Sequence, residues 1–314
     1  MPTATKTSRV RRLAGKPAPR PAARLKISWP WALRNARGLQ ILELAAFREF
    51  PWLIHGFSTR VGGASHLDSG EPVLNLGFTD WDSRENVLKN RGRFQSAIGG
   101  CQSILVPLKQ FHSAVVHPFK AAPSEPCRGD ALVTQAPGLL LGVQTADCLP
   151  ILLVDPNKRV VAAIHAGWRG TLARIAQKTV GEMRMRFACK PGDILAALGP
   201  AIGACCYKVG TELVAQFTSQ FADAEQYFDE LRTGEEPNPL QWLNRMPPGH
   251  QPPPSKVRLD LPKANRLQLL AAGLRDANIF VSELCTACHA GLFFSYRRES
   301  AHSGRQLSAV AVRT

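Results

Sequence analysis

Two apolar runs joined by a turn, within residues 145–170, constrain the fold more than any other stretch of the chain. The runs Leu149–Val154 and Val160–Ile164 are short and rich in Leu, Ile and Val, as in buried β-strands. D-P-N-K (155–158) lies between them, and Asp followed by Pro is typical of a tight β-turn. Because apolar side chains occupy both faces of these runs, we expect a hairpin in the buried centre of a sheet.

The hairpin predicts a close approach of a cysteine and a histidine. If the turn has two central residues, Asp155 pairs with Lys158, and Cys148 faces His165 with Cβ atoms roughly 4.5–5.5 Å apart. Two-residue hairpins prefer other turn types, and a slip of one residue would turn the two side chains to opposite faces. From the pattern alone, the pair is either two ligands of one metal ion or a small apolar cysteine beside a hydrogen-bonded histidine.

A third metal ligand has to come from another segment, and the residues leave three candidates, His112, His117 and His55. Three protein ligands with an open fourth position are typical of catalytic zinc, whereas structural zinc is closed by four. Catalytic zinc lowers the pKa of bound water towards about 7 or polarises a substrate oxygen.

Strands and helices alternate along the rest of the chain. Further strands are predicted at Ile104–Val116, Gly138–Thr145, Ile194–Leu198, Ile279–Ser282, Leu292–Tyr296 and Gln306–Val312. Helices are predicted at Thr171–Phe187, Thr211–Phe217 and Pro262–Leu274. Since several neighbouring strands are joined by tight turns, the pattern favours an α+β fold over a doubly wound parallel sheet. We expect layered mixed β-sheets flanked by helices in a single domain.

The net charge of +15 is concentrated at the N-terminus. Residues 1–42 hold ten Lys and Arg and no acidic residue, which leaves +5 elsewhere, so the charge belongs to a tail and not to a nucleic-acid-binding face. Residues 1–26 are predicted to be a disordered basic tail, with an organelle transit peptide as the alternative. Seven prolines in residues 233–256 predict a surface insert in a domain that spans residues 27–314.

Hydropathy and cysteine content indicate the cellular compartment of the protein. No apolar run approaches the roughly 20 residues that cross a bilayer. Eight cysteines spread over 314 residues do not form a disulfide scaffold and are typical of reduced thiols. We therefore expect a cytoplasmic protein that binds neither nucleic acid nor membranes.

Seven blocks of sequence resemble those of one family. They are Q-F-H-S-A-V-V (110–116), G-D-A-L-V-T (129–134), T-A-D-C-L-P-I (145–151), A-I-H-A-G-W-R-G-T (163–171), L-G-P-A-I-G-A-C-C-Y-K-V-G (198–210), L-D-L-P-K-A-N-R-L-Q-L-L (259–270) and C-T-A-C-H-A-G-L-F-F-S-Y-R-R-E (285–299). The family was long described as multicopper polyphenol oxidases with a laccase domain, and is now described as zinc-dependent purine nucleoside phosphorylases. The resemblance runs in order from about Trp52 to Val312.

The resemblance implies that His112, Cys148 and His165 bind one Zn²⁺ per chain. It also implies phosphorolysis of adenosine, inosine, guanosine and methylthioadenosine to the base and ribose 1-phosphate, and deamination of adenosine. Purine nucleosides and phosphate are then the partners of the protein. Lys208 stands where the family usually has Glu, and Glu299 where it usually has Asp. Neither departure touches the proposed ligands, so both bear on substrate range.

Phosphorolysis needs cations that hold phosphate, and four arginines are candidates. Arg60 precedes V-G-G, whose backbone N–H groups can bind an anion. Arg169 follows His165 by four residues, and Arg297 and Arg305 are predicted in the final strand pair. A guanidinium can bind phosphate through two parallel hydrogen bonds, although a single arginine is more often a solvated surface charge.

Other chemistries fit some of the same residues. Asp147 is a candidate general acid or base, or a turn-capping carboxylate. Cys148 and His165 would also suit a thiol hydrolase as nucleophile and base. A His₂Cys set resembles a copper site, so a polyphenol oxidase that uses Cu²⁺ is a further alternative. Multicopper oxidases use many paired histidines, however, and this chain has eight histidines and no H-x-H.

The remaining cysteines add two further alternatives. C-T-A-C-H (285–289) matches the attachment motif of c-type haem, in one copy only. Cys205, Cys206, Cys285 and Cys288 would instead suit a structural zinc site. The second alternative predicts close to two metal ions per chain.

Overall fold

The computed structural model describes residue 27 and residues 29–106, 108–229 and 256–314. The strands in these ranges are β1 Trp31–Ala36, β2 Leu39–Leu44, β3 Leu53–Ser58, β4 Val61–His66, β5 Pro72–Val73, β6 Ile104–Val106, β7 Leu108–Lys109, β8 Val116–Phe119, β9 Cys127–Arg128, β10 Ala131–Thr134, β11 Leu139–Thr145, β12 Leu149–Asp155, β13 Val160–Ala166, β14 Leu195–Leu198, β15 Lys208–Gly210, β16 Phe228–Asp229, β17 Lys256–Leu259, β18 Ile279–Val281 and β19 Gln306–Val312. The α-helices in these ranges are α1 Ala45–Arg48, α2 Arg84–Ala97, α3 Trp168–Leu172, α4 Ile175–Phe187, α5 Glu212–Thr218, α6 Leu261–Ala271 and α7 Tyr296–Glu299.

Two six-stranded mixed sheets packed against each other form the centre of the fold. Sheet 1 has the order β1-β2-β3-β19-β11-β6, and sheet 2 has the order β18-β14-β12-β13-β10-β8. Phe57, Val143 and Val310 from sheet 1 share an apolar core with Leu152 and Val161 from sheet 2. The predicted α+β fold, with layered mixed sheets flanked by helices in a single domain, is confirmed.

Helices cover the outer faces of both sheets. On sheet 2, Ile175, Val180 and Met183 of α4 belong to one buried core with Ile151 and Ile164. On sheet 1, α2 contributes residues to a smaller core with strands β2 and β3. Since both sheets are covered on both faces, their strands are apolar on both sides.

The central hairpin is formed, but its register differs from the predicted one. Asp155 pairs with Val160, and Pro150 pairs with His165. The predicted pairing of Cys148 with His165 is therefore wrong by two residues. Because side chains alternate with a period of two, a shift of two keeps the same faces together, and Cys148 comes to lie just before β12.

The turn of the hairpin explains this shift. It has four residues, 156–159, between the last paired positions of β12 and β13. The Asp155 carboxylate accepts hydrogen bonds from the backbone N–H groups of Asn157 and Lys158, each at 2.9 Å, and Arg159 adopts a left-handed φ of 52°. An Asp that binds the backbone two residues ahead therefore selects the longer turn.

Two predicted strands are wrong. Ile104–Val116 is not one strand, because β6, β7 and β8 lie in three different sheets and the irregular residues 110–115 separate β7 from β8. The segment predicted as the strand Leu292–Tyr296 is a loop up to residue 295, in which the backbone N–H groups of Leu292 and Phe293 both turn back to the His289 carbonyl, and Tyr296 begins α7. Arg297 therefore lies in α7 and Arg305 just before β19, not in a final strand pair.

The predicted helix Thr171–Phe187 is two helices, α3 and α4, with Arg174 between them in the left-handed conformation at φ 62°. The Arg174 guanidinium donates to the Gln220 carbonyl and lies 4.2 Å from the centroid of the Phe221 ring. The left-handed conformation costs about 1–2 kcal/mol for a residue other than glycine, and these contacts stabilise it at Arg174. The other predicted elements are formed, with ends that shift by at most three residues.

The predicted tail lies outside the described residues, as does the Pro-rich insert up to residue 255, and residue 256 begins β17. Across the described ranges, no helix has both the length and the apolar character needed to cross a bilayer.

His55 lies in β3, where its Nε2 accepts a hydrogen bond from the Leu44 backbone N–H at 3.1 Å. Glu43, Arg48 and Arg34 are the charged groups around it, and burial lowers the pKa of His55 to about 4. The native ring is therefore neutral, and the unfolded chain binds one more proton as the pH falls from about 6.5 towards 4.

We expect native stability to fall by about 2 kcal/mol between pH 7 and pH 5 through His55 alone. Urea unfolding of the native chain and of His55→Gln at both pH values measures this contribution. The pH-dependent loss should be smaller by that amount in His55→Gln. Equal losses in the two proteins would show that His55 is not buried in its neutral form.

Candidate metal centre

Asp130 organises the loop that carries His112. Residues 110–115 are irregular, and His112 has a left-handed φ of 61°. The Asp130 carboxylate accepts hydrogen bonds from three consecutive backbone N–H groups, those of residues 111–113, at 3.4, 3.0 and 2.6 Å. It also accepts one from the Ser113 hydroxyl at 2.6 Å. Because a buried carboxylate needs such donors, the loop folds around Asp130 and holds His112 beside β13.

Cys148 and His165 come from the central hairpin. Cys148 directly precedes β12, and His165 is the last residue but one of β13. Gly167 lies against the side chains of Cys148 and His112. A Cβ atom at position 167 would lie 2.9 Å from Cys148 Sγ and 3.0 Å from His112 Cδ2. This close approach of the backbone requires a glycine at 167.

The donor atoms of His112, Cys148 and His165 lie within 4.8 Å of one another. The two imidazole rings meet edge to face, with centroids 4.9 Å apart. A tetrahedral zinc ion keeps nitrogen and sulfur ligands about 3.4–3.8 Å apart, so small side-chain adjustments would complete the coordination. His165 is buried, Cys148 is half-buried and His112 is exposed, so the cluster opens towards solvent on one side.

The two other candidate histidines lie away from this cluster. His117 is in β8, with its Nε2 2.9 Å from the Arg128 carbonyl. His55 is in sheet 1 and binds Leu44. Of the three candidates from the sequence, only His112 lies next to Cys148 and His165.

A buried carboxylate orients His165. His165 Nδ1 donates to Asp130 Oδ1 at 2.8 Å, so Nε2 faces the cluster. Burial by itself would raise the pKa of Asp130, but hydrogen bonds from His165 and Ser113 lower it to about 2. Asp130 is therefore ionised at neutral pH and fixes the tautomer of the imidazole.

The surroundings of Cys148 favour its thiolate. Burial alone would raise the pKa of this thiol, but the nearby His165 and hydrogen bonds from both histidines lower it. The pKa of His165 is raised against the effect of burial by Cys148 and Asp130. A thiolate beside a protonated imidazole is the arrangement in which a metal ion displaces the proton. One thiolate and two imidazoles, one of them oriented by Asp130, therefore fit a zinc ion.

We expect Gly167→Ala to weaken metal binding by about tenfold or more, because a methyl group would press Cys148 and His112 apart and such overpacking costs about 1–3 kcal/mol. Competition with a chromophoric zinc chelator measures the affinity. Gly181→Ala is the matched control, since Gly181 lies in α4 with nothing within 4 Å of the added methyl. It should leave zinc affinity unchanged and stabilise the helix by up to about 1 kcal/mol.

The cluster forms part of the wall of a cavity of about 600 Å³. This volume is in the usual range of sites for small ligands. The polar and aromatic side chains that line it, besides the three donors, are Gln110, Gln144, Thr145, Asp147, Trp168, Arg169, Tyr207, Tyr296, Arg297 and Arg305. Three aromatic rings and three guanidinium groups suit a ligand with a flat ring and an anionic group.

The three arginines of the cavity differ in how their donors are used. Arg297 donates to the Lys208 carbonyl at 2.8 Å, and Arg305 donates to the Ser303 and Gly304 carbonyls at 2.9 and 3.0 Å. The Arg169 guanidinium stacks on the Trp168 ring at 4.3 Å and makes no hydrogen bond or ion pair within the described part of the chain. Arg169 therefore has the most donors available for a ligand.

Arg60, the fourth predicted phosphate ligand, lies outside the cavity wall. It is buried and forms an ion pair with Glu299 at 2.6 Å, and it donates to the Ala290 carbonyl at 3.2 Å. Its guanidinium also lies 4.7 Å from the centroid of the Phe294 ring. These contacts connect the residue before β4 to α7 and to the loop that precedes α7. A phosphate-binding role for Arg60 stays a prediction.

Asp147 is the carboxylate of the cavity. It is buried, with a left-handed φ of 90°, a conformation that an L residue holds only under strong local constraint. One oxygen accepts from the Thr286 hydroxyl and the other from the Arg297 backbone N–H, both at 2.6 Å. Asp147 is thus fixed at the cavity by the loop that begins at Cys285 and by the first turn of α7.

Several residues that form the site are assigned no role in the sequence analysis. Asp130 lies in one of the family-like blocks, and an acid just before a buried strand signals a partner for a buried donor. Gly167 lies two residues after His165, where a glycine marks a close backbone approach. Trp168, Tyr207 and Tyr296 carry no sequence signal for a cavity, since their approach depends on the tertiary fold.

Known proteins place this site in a family. The family described as multi-copper polyphenol oxidoreductase laccase matches residues 54–313, a span that contains all three donors of the cluster. The chain belongs to this family. The resemblance seen in the seven sequence blocks is thereby confirmed.

Among the relatives, the purine nucleoside phosphorylase YlmD of Geobacillus stearothermophilus is 36% identical over 276 residues, which cover 84% of this chain and 92% of the relative. A crystal structure of YlmD from that organism matches with a TM-score of 0.74 at 33% identity, over 91% of this chain and 100% of that chain. The adenosine deaminase RL5, from an unknown prokaryotic organism, is 40% identical over 185 residues, 58% of this chain and 61% of the relative. The names of these relatives show that the family includes enzymes.

Proposed function

We propose that this chain is a zinc-dependent purine nucleoside phosphorylase. It would convert adenosine, inosine, guanosine and methylthioadenosine, with phosphate, to the free base and ribose 1-phosphate. The observation that carries the proposal is the cluster of His112, Cys148 and His165 in the wall of a cavity that also holds three guanidinium groups. The relatives named purine nucleoside phosphorylase support this reaction class.

In phosphorolysis, a phosphate oxygen bonds to C1′ of the ribose as the C1′–N9 bond breaks. The electron pair of that bond leaves with the purine, which takes up a proton. Arg169, Arg297 and Arg305 would bind the phosphate and hold one oxygen towards C1′. Zinc bound by the three donors would supply Lewis-acid charge next to the reacting atoms.

Asp147 would position the nucleoside by accepting a hydrogen bond from it. Each of its carboxylate oxygens accepts one hydrogen bond in the structure and can accept a second one from a ligand. Its fixed position lets it accept a hydrogen bond from a ribose hydroxyl or an N–H group of the base. Trp168, Tyr207 and Tyr296 would contact the faces and edges of the purine ring.

Deamination of adenosine is a second candidate activity, favoured by the likeness to adenosine deaminase RL5. Here water bonds to C6 of the purine, and the C6–N bond breaks to release ammonia and inosine. Asp147 would accept the proton of the attacking water and return it to the departing nitrogen. Phosphate takes no part, so the two activities separate by their phosphate requirement.

Incubation of the purified chain with adenosine, with and without phosphate, tests both activities when the products are separated by chromatography. We expect adenine only when phosphate is present, and inosine whether or not it is present. Neither product, or phenol oxidation by a copper-loaded protein without either, would contradict the proposal. Removal of zinc with a chelator should abolish both products, and added zinc should restore them.

We expect Arg169→Met to raise the KM for phosphate about tenfold or more and to change the KM for adenosine much less, because a charged hydrogen bond contributes about 1.5–3 kcal/mol. Steady-state assays with each substrate varied in turn measure both constants. Arg159→Met is the control: Arg159 also lies over a tryptophan, Trp52, but is in the turn of the hairpin and outside the cavity wall. A phosphate KM that does not move in Arg169→Met would remove this residue from the phosphate site.

A further inference from the structure

Four cysteines form a second cluster, away from the three donors of the candidate centre. Cys205 and Cys206 lie between β14 and β15, and Cys285 and Cys288 lie between β18 and α7. Their sulfur atoms all lie within 4.8 Å of one another. Cys288 Sγ lies 3.5 Å from Cys205 Sγ and 3.4 Å from Cys206 Sγ.

These distances fit one tetrahedral metal ion. Four thiolates around zinc, with Zn–S bonds of about 2.3 Å, have their sulfur atoms about 3.8 Å apart. A disulfide would join only two of the sulfurs, at about 2.05 Å, and all eight cysteines of the chain are free. An iron–sulfur cluster holds its thiolates on different iron atoms and needs a wider spacing. A single ion that prefers tetrahedral sulfur ligands, such as zinc, is the best match.

The backbone supports the cluster in a way that is typical of metal sites. Ala201 and Cys285 are joined by an isolated parallel β-bridge, which brings the two cysteine pairs together. The Gly203 N–H donates to Cys285 Sγ at 3.3 Å, and His289 Nδ1 lies 2.9 Å from the Cys285 carbonyl. Hydrogen bonds from backbone N–H groups stabilise a thiolate and orient it towards a metal.

We propose that these four thiolates bind a second Zn²⁺ ion, which has a structural role. Four protein ligands close the coordination sphere, so this ion would not contact a substrate. The site does not depend on the proposed function, because it shares no ligand with the cluster at the cavity. The chain would then hold two zinc ions of different kinds.

The second site would fix one wall of the cavity. Tyr207, a lining residue, directly follows Cys206. Thr286 directly follows Cys285, and its hydroxyl group donates a hydrogen bond to the Asp147 carboxylate. Arg298 from α7 donates to the carbonyls of Thr286 and Ala287, at 3.2 and 2.9 Å. Closing the four thiolates on one ion therefore holds in place the loop that positions Asp147.

Metal analysis of the purified full-length chain by mass spectrometry tests the proposal. We expect two zinc ions per chain in the native protein, one in Cys288→Ser and one in Cys148→Ser, since each substitution removes a ligand of a different site. Cys101→Ser is the control, because Cys101 lies outside both clusters and should leave both ions in place. One zinc per chain in the native protein, lost completely in Cys148→Ser, would overturn the proposal.

A measurement on the native protein avoids the risk that Cys288→Ser fails to fold. Cys205 and Cys101 are both exposed, yet only the former would be a metal ligand. With a thiol-alkylating reagent, we expect Cys101 to be modified rapidly and Cys205 to be modified only after a chelator has removed the metal. Equal rates before chelation, or a disulfide within the cluster, would overturn the proposal.

Discussion

Replacing Cys148 with serine is expected to lower kcat/KM for adenosine phosphorolysis by about 10³-fold or more, equivalent to about 4 kcal/mol of transition-state stabilisation. A serine hydroxyl is not ionised at neutral pH and binds zinc far more weakly than a thiolate, so the ion at the cavity should be lost. Thermal unfolding should change little in the metal-free proteins, since the side chains differ by one atom. Activity assays and metal analysis on the same preparation measure both effects.

The matched control for this substitution is Cys101→Ser, which changes an exposed cysteine outside the cavity. It should keep full activity and its zinc. The result for Cys148→Ser also distinguishes a metal-dependent enzyme from a thiol hydrolase, in which Cys148 would be the nucleophile. In a thiol hydrolase, a chelator would leave the native activity intact and Cys148→Ser would not change the zinc content.

Most of the fold follows from patterns in the sequence, and the failures have local causes. The central hairpin follows from two apolar runs and a turn, because burial on both faces requires continuous apolar residues. Its register does not, since the Asp155 carboxylate binds two backbone N–H groups and lengthens the turn. The break at Arg174 likewise depends on tertiary contacts with Gln220 and Phe221 that no local pattern contains.

The candidate site was predictable only in part. The spacing predicts that Cys148 lies close to His165, but only the family resemblance selects His112. The loop that carries His112 is folded around Asp130, and no periodic pattern in its own sequence indicates this. The cavity wall combines residues from distant segments, as Trp168 and Tyr296 illustrate. Their approach results from sheet packing and from the loop after Cys285.

Asp130→Asn is expected to weaken zinc binding about 10–100-fold and to destabilise the native protein by about 2–4 kcal/mol. An amide replaces one carboxylate oxygen by an N–H donor, so at least one backbone N–H of residues 111–113 would lose its acceptor. His165 would also lose the charge that fixes its tautomer. Zinc competition and urea unfolding of the metal-free protein measure the two effects separately.

Asp155→Asn is the matched control for Asp130→Asn. Asp155 is also buried and accepts two backbone hydrogen bonds, but at the turn end of the central hairpin. Both bonds go to Asp155 Oδ1, an acceptor that asparagine keeps, so this substitution should leave the affinity for zinc unchanged. If both substitutions weakened zinc binding equally, the effect would arise from the hairpin as a whole and not from the contact of Asp130 with the metal ligands.

Anomalous diffraction at the zinc absorption edge, from crystals of the zinc-loaded full-length chain, tests the central claim most directly. The account predicts a zinc peak at about 2.0–2.1 Å from a ring nitrogen of His112 and of His165, and about 2.3 Å from Cys148 Sγ, with its fourth position facing the cavity. Crystals in which these three side chains are ordered and no peak lies between them would contradict it.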